Sequence, residues 1–181
     1  MQIQPTPIAD CYILIPKVFQ DERGYFFERY NQKVFEKLIG KPIDFVQDNE
    51  SLSVYGVIRG LHAQKGKAAQ AKLVSVSKGK ILDVVVDNRP DSETYKEVFS
   101  IELSEENKKQ IFVPKGLLHG FAVLSEEAKF IYKCDEFYDP EAEIGIRYDD
   151  PQLNIDWEIP VEKRIISEKD QHLPLFKDLE V

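Results

Sequence analysis

The sequence predicts a mainly β protein, a sandwich or barrel of short strands. Three observations carry that prediction. Aromatic and β-branched residues gather in short runs along most of the 181-residue chain. Turn-forming residues interrupt those runs at short intervals. The runs do not alternate with long amphipathic helices, as a βαβ fold would require. In order, CYILIP (11–16) and GYFFERY (24–30) read as early strands. Asn31 is placed to cap a short helix, NQKVFEKLIG, which Gly40 and Pro42 end. KLVSVSKGKILDVVVD (72–87) is the strongest hairpin signal, two β-rich runs around Lys78-Gly79, although tight hairpins favour Asn-Gly. VFSIEL (98–103), QIFVP (110–114), GFAVLS (120–125) and KFIYKC (129–134) follow as short strands. Turns fall at 88–94, 104–107 and 114–116. Beyond Asp150, three prolines (Pro151, Pro160, Pro174) predict loops and short helices.

No repeat, low-complexity tract or linker divides the chain, so residues 1–181 read as one domain. Hydrophobic residues make up 43% and charged residues 31%, which excludes a disordered or collagen-like chain. No apolar run reaches the roughly 18 residues of a membrane-spanning helix. The segment MQIQPTPIADCYILIP has no basic start and does not read as a signal peptide. A net charge of −8 argues against nucleic acid or an anionic membrane as partner. Two cysteines, Cys11 and Cys134, with no CxxC, point to a reduced cytoplasmic protein, with a single disulfide left open. The charge is uneven: from Arg59 to Leu82 there are only basic charges. That window could attract an anionic small ligand, though on charge alone a solvated Lys-rich loop is the simpler reading.

Several catalytic signatures are missing. There is no GxGxxG before a helix, no P-loop, no GxSxG and no HExxH. The three histidines, His62, His119 and His172, are too scattered to read as a zinc site. Polar side chains instead recur in β-rich surroundings. Gln47, Asp48, Asn49 and Ser51 lie together, and VIRGLHAQ holds Arg59, His62 and Gln64. Lys72 follows in QAKLV, His119 in PKGLLHGF, Tyr132 and Tyr138 in FIYKCDEFY, and Lys169 and Asp170 in SEKDQH. Each alone reads as an ordinary core or surface residue. As a set they are compatible with a concave polar pocket inside a small barrel.

Those residues carry a resemblance. DERGYFFERY (21–30), QDNESLSVYGVIRGLHAQ (47–64), QAKLVSVSKGKILDVVVDNR (70–89), LSEENKKQIFVPKGLLHGFAVLS (103–125), YKCDEFYDPEAEIGIRYDDP (132–151) and SEKD (167–170) occur in this order. The chain thereby resembles the dTDP-4-dehydrorhamnose 3,5-epimerase family, sugar-nucleotide epimerases on a cupin-type antiparallel jelly roll with short flanking helices. The resemblance implies an isomerase that needs neither metal nor cofactor and converts dTDP-4-dehydro-6-deoxy-glucose to dTDP-4-dehydro-L-rhamnose; the alternatives are a single-site sugar-nucleotide epimerase, a 3,4-ketoisomerase, or a non-catalytic cupin that binds a sugar nucleotide. It implies His62 as base, Asp170 as its hydrogen-bond partner, Lys72 as enolate stabiliser and Tyr132 as acid. It also implies that Arg23 and Arg59 grip the pyrophosphate, with Arg23, Phe26 and Glu28 reaching the site from the second subunit of a homodimer. Gln47, Asp48 and Asn49 would meet the nucleotide or sugar, and Tyr138 would stack on the base. His119, Glu143 and Lys169 would complete the shell around the ligand, with support of His62 as a second role open to His119.

Overall fold

A computed structural model describes residues 1–179. The first strands are β1 (Gln2–Pro5), β2 (Tyr12–Ile15), β3 (Val18–Asp21) and β4 (Gly24–Phe27). Helix α1 (Gln32–Ile39) begins where the sequence places its cap: the Asn31 side chain accepts from the Val34 N–H, and Gly40 ends the helix at φ 83°. Then come β5 (Gln47–Val54), β6 (Val57–Gln64), β7 (Lys72–Lys78), β8 (Lys80–Asp87), β9 (Val98–Ser104), β10 (Gln110–Val113), β11 (Leu117–Val123) and β12 (Glu127–Cys134). β13 (Glu143–Gly145), β14 (Ile165–Ile166) and helix α2 (Glu168–Gln171) complete the described elements that bear on the site. The tail thus has the expected loops and short helices, plus one short strand.

Two sheets face each other in a cupin-type jelly roll. One has the order β1-β2-β10-β7-β12-β5, the other β13-β6-β11-β8-β9, with β14 beside β6. Pairing is antiparallel throughout these sheets except between β14 and β6. Strand alternation sorts side chains into three apolar cores. Val74, Val85, Ile111, Phe121 and Phe130 fill one end of the space between the sheets. Phe35 of α1 packs on the outer face of the first sheet with Leu73 and Phe112. Trp157, Ile159 and Phe176 from the tail cover the outer face of the second sheet. Fully burying a Phe or Leu side chain stabilises by roughly 1.5–3 kcal/mol, so these three layers hold the sheets in fixed register.

The expected hairpin over 72–87 is corrected. Both strands exist, but β7 pairs with β10 and β12, whereas β8 pairs with β9 and β11. Gly79 therefore turns the chain from one sheet to the other. A Cβ at Gly79 would lie 2.0 Å from the Glu127 carbonyl oxygen, and its φ is 73°. One residue between two strands cannot make a two-residue hairpin loop. Each strand is instead buried on both faces and satisfied by two neighbours. Among the strand boundaries that move, two bear on the site: β4 stops at Phe27, leaving Glu28 outside, and β11 starts at Leu117, so His119 sits inside a strand.

Candidate active site

A cavity of about 640 Å³ opens between the two sheets. Strand β5 supplies Asn49 and Ser51, β7 supplies Lys72, and β12 supplies Phe130 and Tyr132. The facing wall carries Arg59 and His62 from β6 and His119 and Phe121 from β11. Ser167, Lys169 and Asp170, at the start of α2, close one side.

A bulge in β6 sets the second wall. Across β11, His62 pairs with His119 and Arg59 with Phe121, so four residues of β6 (59–62) lie opposite three of β11 (119–121). Residues three apart normally point to opposite faces of a strand. The extra residue brings Arg59 and His62 onto the same, inward face. The site of the bulge demands glycine: Gly60 has φ 119°, and a Cβ there would lie 2.6 Å from the Gly120 Cα. Its N–H, freed from the ladder, donates to Asp170 Oδ2 at 3.3 Å.

The other Asp170 oxygen lies 2.7 Å from His62 Nε2. Ser167, the N-cap of α2, accepts from the Asp170 N–H and thereby orients the side chain. Burial works against ionisation of Asp170. Its hydrogen bond and charge contact with His62, and the Gly60 N–H, outweigh burial and hold the carboxyl below its ordinary value. Asp170 is thus a carboxylate at neutral pH, fixing the His62 ring through Nε2 and leaving Nδ1 as the other functional nitrogen. Lys72 makes no ion pair among the described residues, and burial pushes its pKa below the usual lysine value, opposed by Cys134, Asp83 and Glu143. Tyr132 is shifted the other way: burial raises its pKa, so the phenol keeps its proton.

His119 lines the same cavity but is 6% exposed, and its Nε2 lies 2.9 Å from the fully buried Asp83. Its ring stacks on Phe130, with centroids 5.9 Å apart. At the rim, Glu143 accepts from the Tyr138 hydroxyl at 2.8 Å and from Lys169 Nζ at 2.7 Å. Those two bonds overcome partial burial and keep Glu143 ionised. Gln47 stands behind this rim, accepting from the Tyr138 N–H and donating to Asn49.

The fold therefore gathers His62, Asp170, Lys72, Tyr132, Asn49, Arg59, His119 and Lys169 around one cavity, with Gln47, Tyr138 and Glu143 at its edge. Asp48 is turned away: alternation points it to the outer face, where it pairs with Lys133 at 2.7 Å. Arg23 sits on the separate β3–β4 hairpin, paired with Asp21 at 2.6 Å. Phe26 is 69% exposed on that hairpin, and Glu28 accepts from Asn31. None of these three reaches the cavity within one chain. Two contributors escaped the sequence reading, Asp83 and Ser53. Asp83 was visible as a lone charge in the apolar run ILDVVV. Ser53 was visible as the fourth polar residue at alternate positions in QDNESLSV.

Cys11 and Cys134 are free and buried, and burial pushes their thiols up to about 12 and about 11. Neither is a nucleophile at neutral pH. Among the described residues no group of three His, Cys, Asp or Glu side chains could hold a metal ion.

Jelly roll and cavity together define a cupin-type protein equipped to move protons: a carboxylate-held imidazole on one wall, a lysine and a phenol on the other. Residues 5–178 match the family model described as dTDP-4-dehydrorhamnose 3,5-epimerase. The crystal structure of the enzyme of that name from Elizabethkingia anophelis shares 57% identity at a TM-score of 0.95, covering 98% of this chain and 97% of that one. The Legionella pneumophila dTDP-6-deoxy-D-glucose-3,5-epimerase, solved with dTDP-4-keto-L-rhamnose, is 46% identical at a TM-score of 0.95, over 99% and 94% of the two chains. The curated dTDP-4-dehydrorhamnose 3,5-epimerase of Methanothermobacter thermautotrophicus is 49% identical over 92% of this chain and 90% of its own. The chain belongs to the dTDP-4-dehydrorhamnose 3,5-epimerase family.

Proposed function

We propose that this protein is an isomerase that inverts C3 and C5 of dTDP-4-dehydro-6-deoxy-glucose, giving dTDP-4-dehydro-L-rhamnose. One observation carries the mechanism: His62 and Tyr132 stand on facing sheets, on opposite walls of one cavity that also holds Lys72. The hydrogens on C3 and C5 are acidic because both carbons flank the C4 ketone. His62 removes one, and the resulting imidazolium is stabilised by Asp170. Lys72 neutralises the enolate oxygen, a charge that exists only after proton loss, so this contact favours the transition state over the ground state. Tyr132 returns a proton from the opposite face at C5, a solvent water does so at C3, and exchange with solvent resets His62 and Tyr132 after each inversion. The Arg59 guanidinium suits phosphate oxygens, and Tyr138 offers a flat face to the base.

A homodimer completes the site in this reading. β5 ends its sheet, and its outer face presents Leu52 and Val54, each 54% exposed. The β3–β4 hairpin exposes Phe19, Tyr25 and Phe26. A hairpin from a second copy laid along β5 would cover both apolar surfaces and bring its Arg23, Phe26 and Glu28 to the cavity. The reading takes residues 1–181 as one catalytic domain in the cytoplasm, in keeping with two free thiols. No described helix is long and apolar enough to cross a membrane.

Proton NMR of the substrate in D₂O tests the activity. Deuterium is expected at both C3 and C5. Exchange at one carbon would make the protein a single-site epimerase. Binding without exchange would leave a sugar-nucleotide-binding cupin.

A further inference from the structure

We propose that Ser53 is a positioning residue that aims Arg59 at the anionic part of the substrate, an inference that rests on the reading of Arg59 as the pyrophosphate grip. Arg59 Nε donates to Ser53 Oγ at 3.1 Å. Ser53 lies on β5 of the first sheet and Arg59 on β6 of the second, so this bond spans the two walls beside the cavity. Ser53 is 5% exposed and does not line the cavity, so it acts through Arg59 and not on the ligand.

The chemistry of the acceptor matters. Arg23, Arg89 and Arg147 are each paired with a carboxylate, at 2.6, 2.7 and 2.6 Å. Arg59 makes no ion pair among the described residues; its Nε is held by a neutral hydroxyl. A carboxylate there would fix the side chain equally well but would cancel its charge and repel a diphosphate. The serine hydroxyl fixes the guanidinium plane while leaving the charge, and both terminal nitrogens, for phosphate oxygens. Ordering the long arginine side chain before the ligand arrives removes part of the entropy cost of binding.

Steady-state kinetics and dTDP titration of Ser53→Ala, Ser53→Thr, Arg59→Ala and the Ser53→Ala/Arg59→Ala double variant test this. Ser53→Ala is expected to raise KM and the dTDP Kd roughly tenfold, as loss of a hydrogen bond to a charged group would, with kcat within about twofold. Ser53→Thr, which keeps the hydroxyl, should restore affinity. In the Arg59→Ala background, Ser53→Ala should have no further effect, because its only route to the ligand is gone. An unchanged KM in Ser53→Ala, or the same rise with Arg59 absent, would overturn the proposal. If Arg59→Ala alone leaves dTDP affinity intact, the assignment of Arg59 fails, and the role of Ser53 with it. Should Ser53→Ala fold poorly by thermal melt, Ser53→Cys, near-isosteric with a weak acceptor, carries the same test.

Discussion

His62 and His119 are partners across neighbouring strands, and each is bonded through Nε2 to an aspartate, yet the two pairs are built for different work. The His62 side chain is 27% exposed and opens on the cavity; that of His119 is 6% exposed and stacked on Phe130. Asp170 receives a backbone N–H as well as the ring and sits on a short helix that the tail brings in. Asp83 is sealed inside β8, with its Oδ1 lacking any hydrogen-bond partner. The comparison teaches that access and support are what distinguish the pair proposed as the base from its buried counterpart. The same two side chains, buried, make a wall and a local field.

The largest effect should come from the open pair. Asp170→Asn is expected to lower the exchange rate at both carbons by about 10²–10⁴-fold, because the amide no longer stabilises the imidazolium. His62→Ala should abolish exchange, with dTDP binding retained. Both are read by NMR in D₂O and by titration. If Asp83→Asn cost as much rate as Asp170→Asn, the distinction between the pairs would collapse.

Lys72 ranks next. Lys72→Met should cost about 10²–10³-fold in kcat, the size seen when one donor to a developing oxyanion is lost. Its pH behaviour follows from the direction of its shift. Burial lowers its pKa from the ordinary lysine value of 10.5, so as pH rises Lys72 gives up the charge proposed to meet the enolate earlier than a free lysine would. Tyr132 is shifted the opposite way, burial raising it above the ordinary phenol value. The alkaline limb of the kcat profile should therefore belong to Lys72 and move upward in Lys72→Arg, whose charge persists. An unmoved limb would assign it elsewhere.

Tyr132→Phe sharpens the contrast between the two walls. If Tyr132 is the acid opposite His62, its loss should suppress inversion at C5 while leaving inversion at C3, read from the ring-proton couplings of the product as one inverted carbon in place of two. Exchange and inversion intact at both carbons would end the acid role of Tyr132.

The smallest rate effect is expected from the closed pair. Asp83→Asn should change kcat at neutral pH by only a few fold. It should lower thermal stability, since a buried hydrogen bond to His119 is weakened, by about 1–3 kcal/mol. Asp83 also helps Lys72 stay charged, so its loss should move the alkaline limb to lower pH. A limb that stays in place would remove Asp83 from the electrostatics of the site.

Much of the molecule was legible locally. The strand runs, the Asn31 cap and Gly40 stop, and the polar residues of β5, β6 and β12 could be read because propensity, capping and alternation act over a few residues. Resemblance added roles to those residues that no spacing could supply. The tertiary structure decided the rest. It sent β7 and β8 to different sheets where a hairpin was expected, because two-sided burial outweighed sequence proximity. It turned Asp48 outward, since it neighbours Asn49 on a strand and must take the other face. It set Arg59 and His62 on one face through a bulge that is only defined against β11. It brought Asp170 onto His62 across 108 residues of chain. Register and such distant contacts depend on which surfaces bury one another, and that choice belongs to the whole chain and not to any short stretch of it.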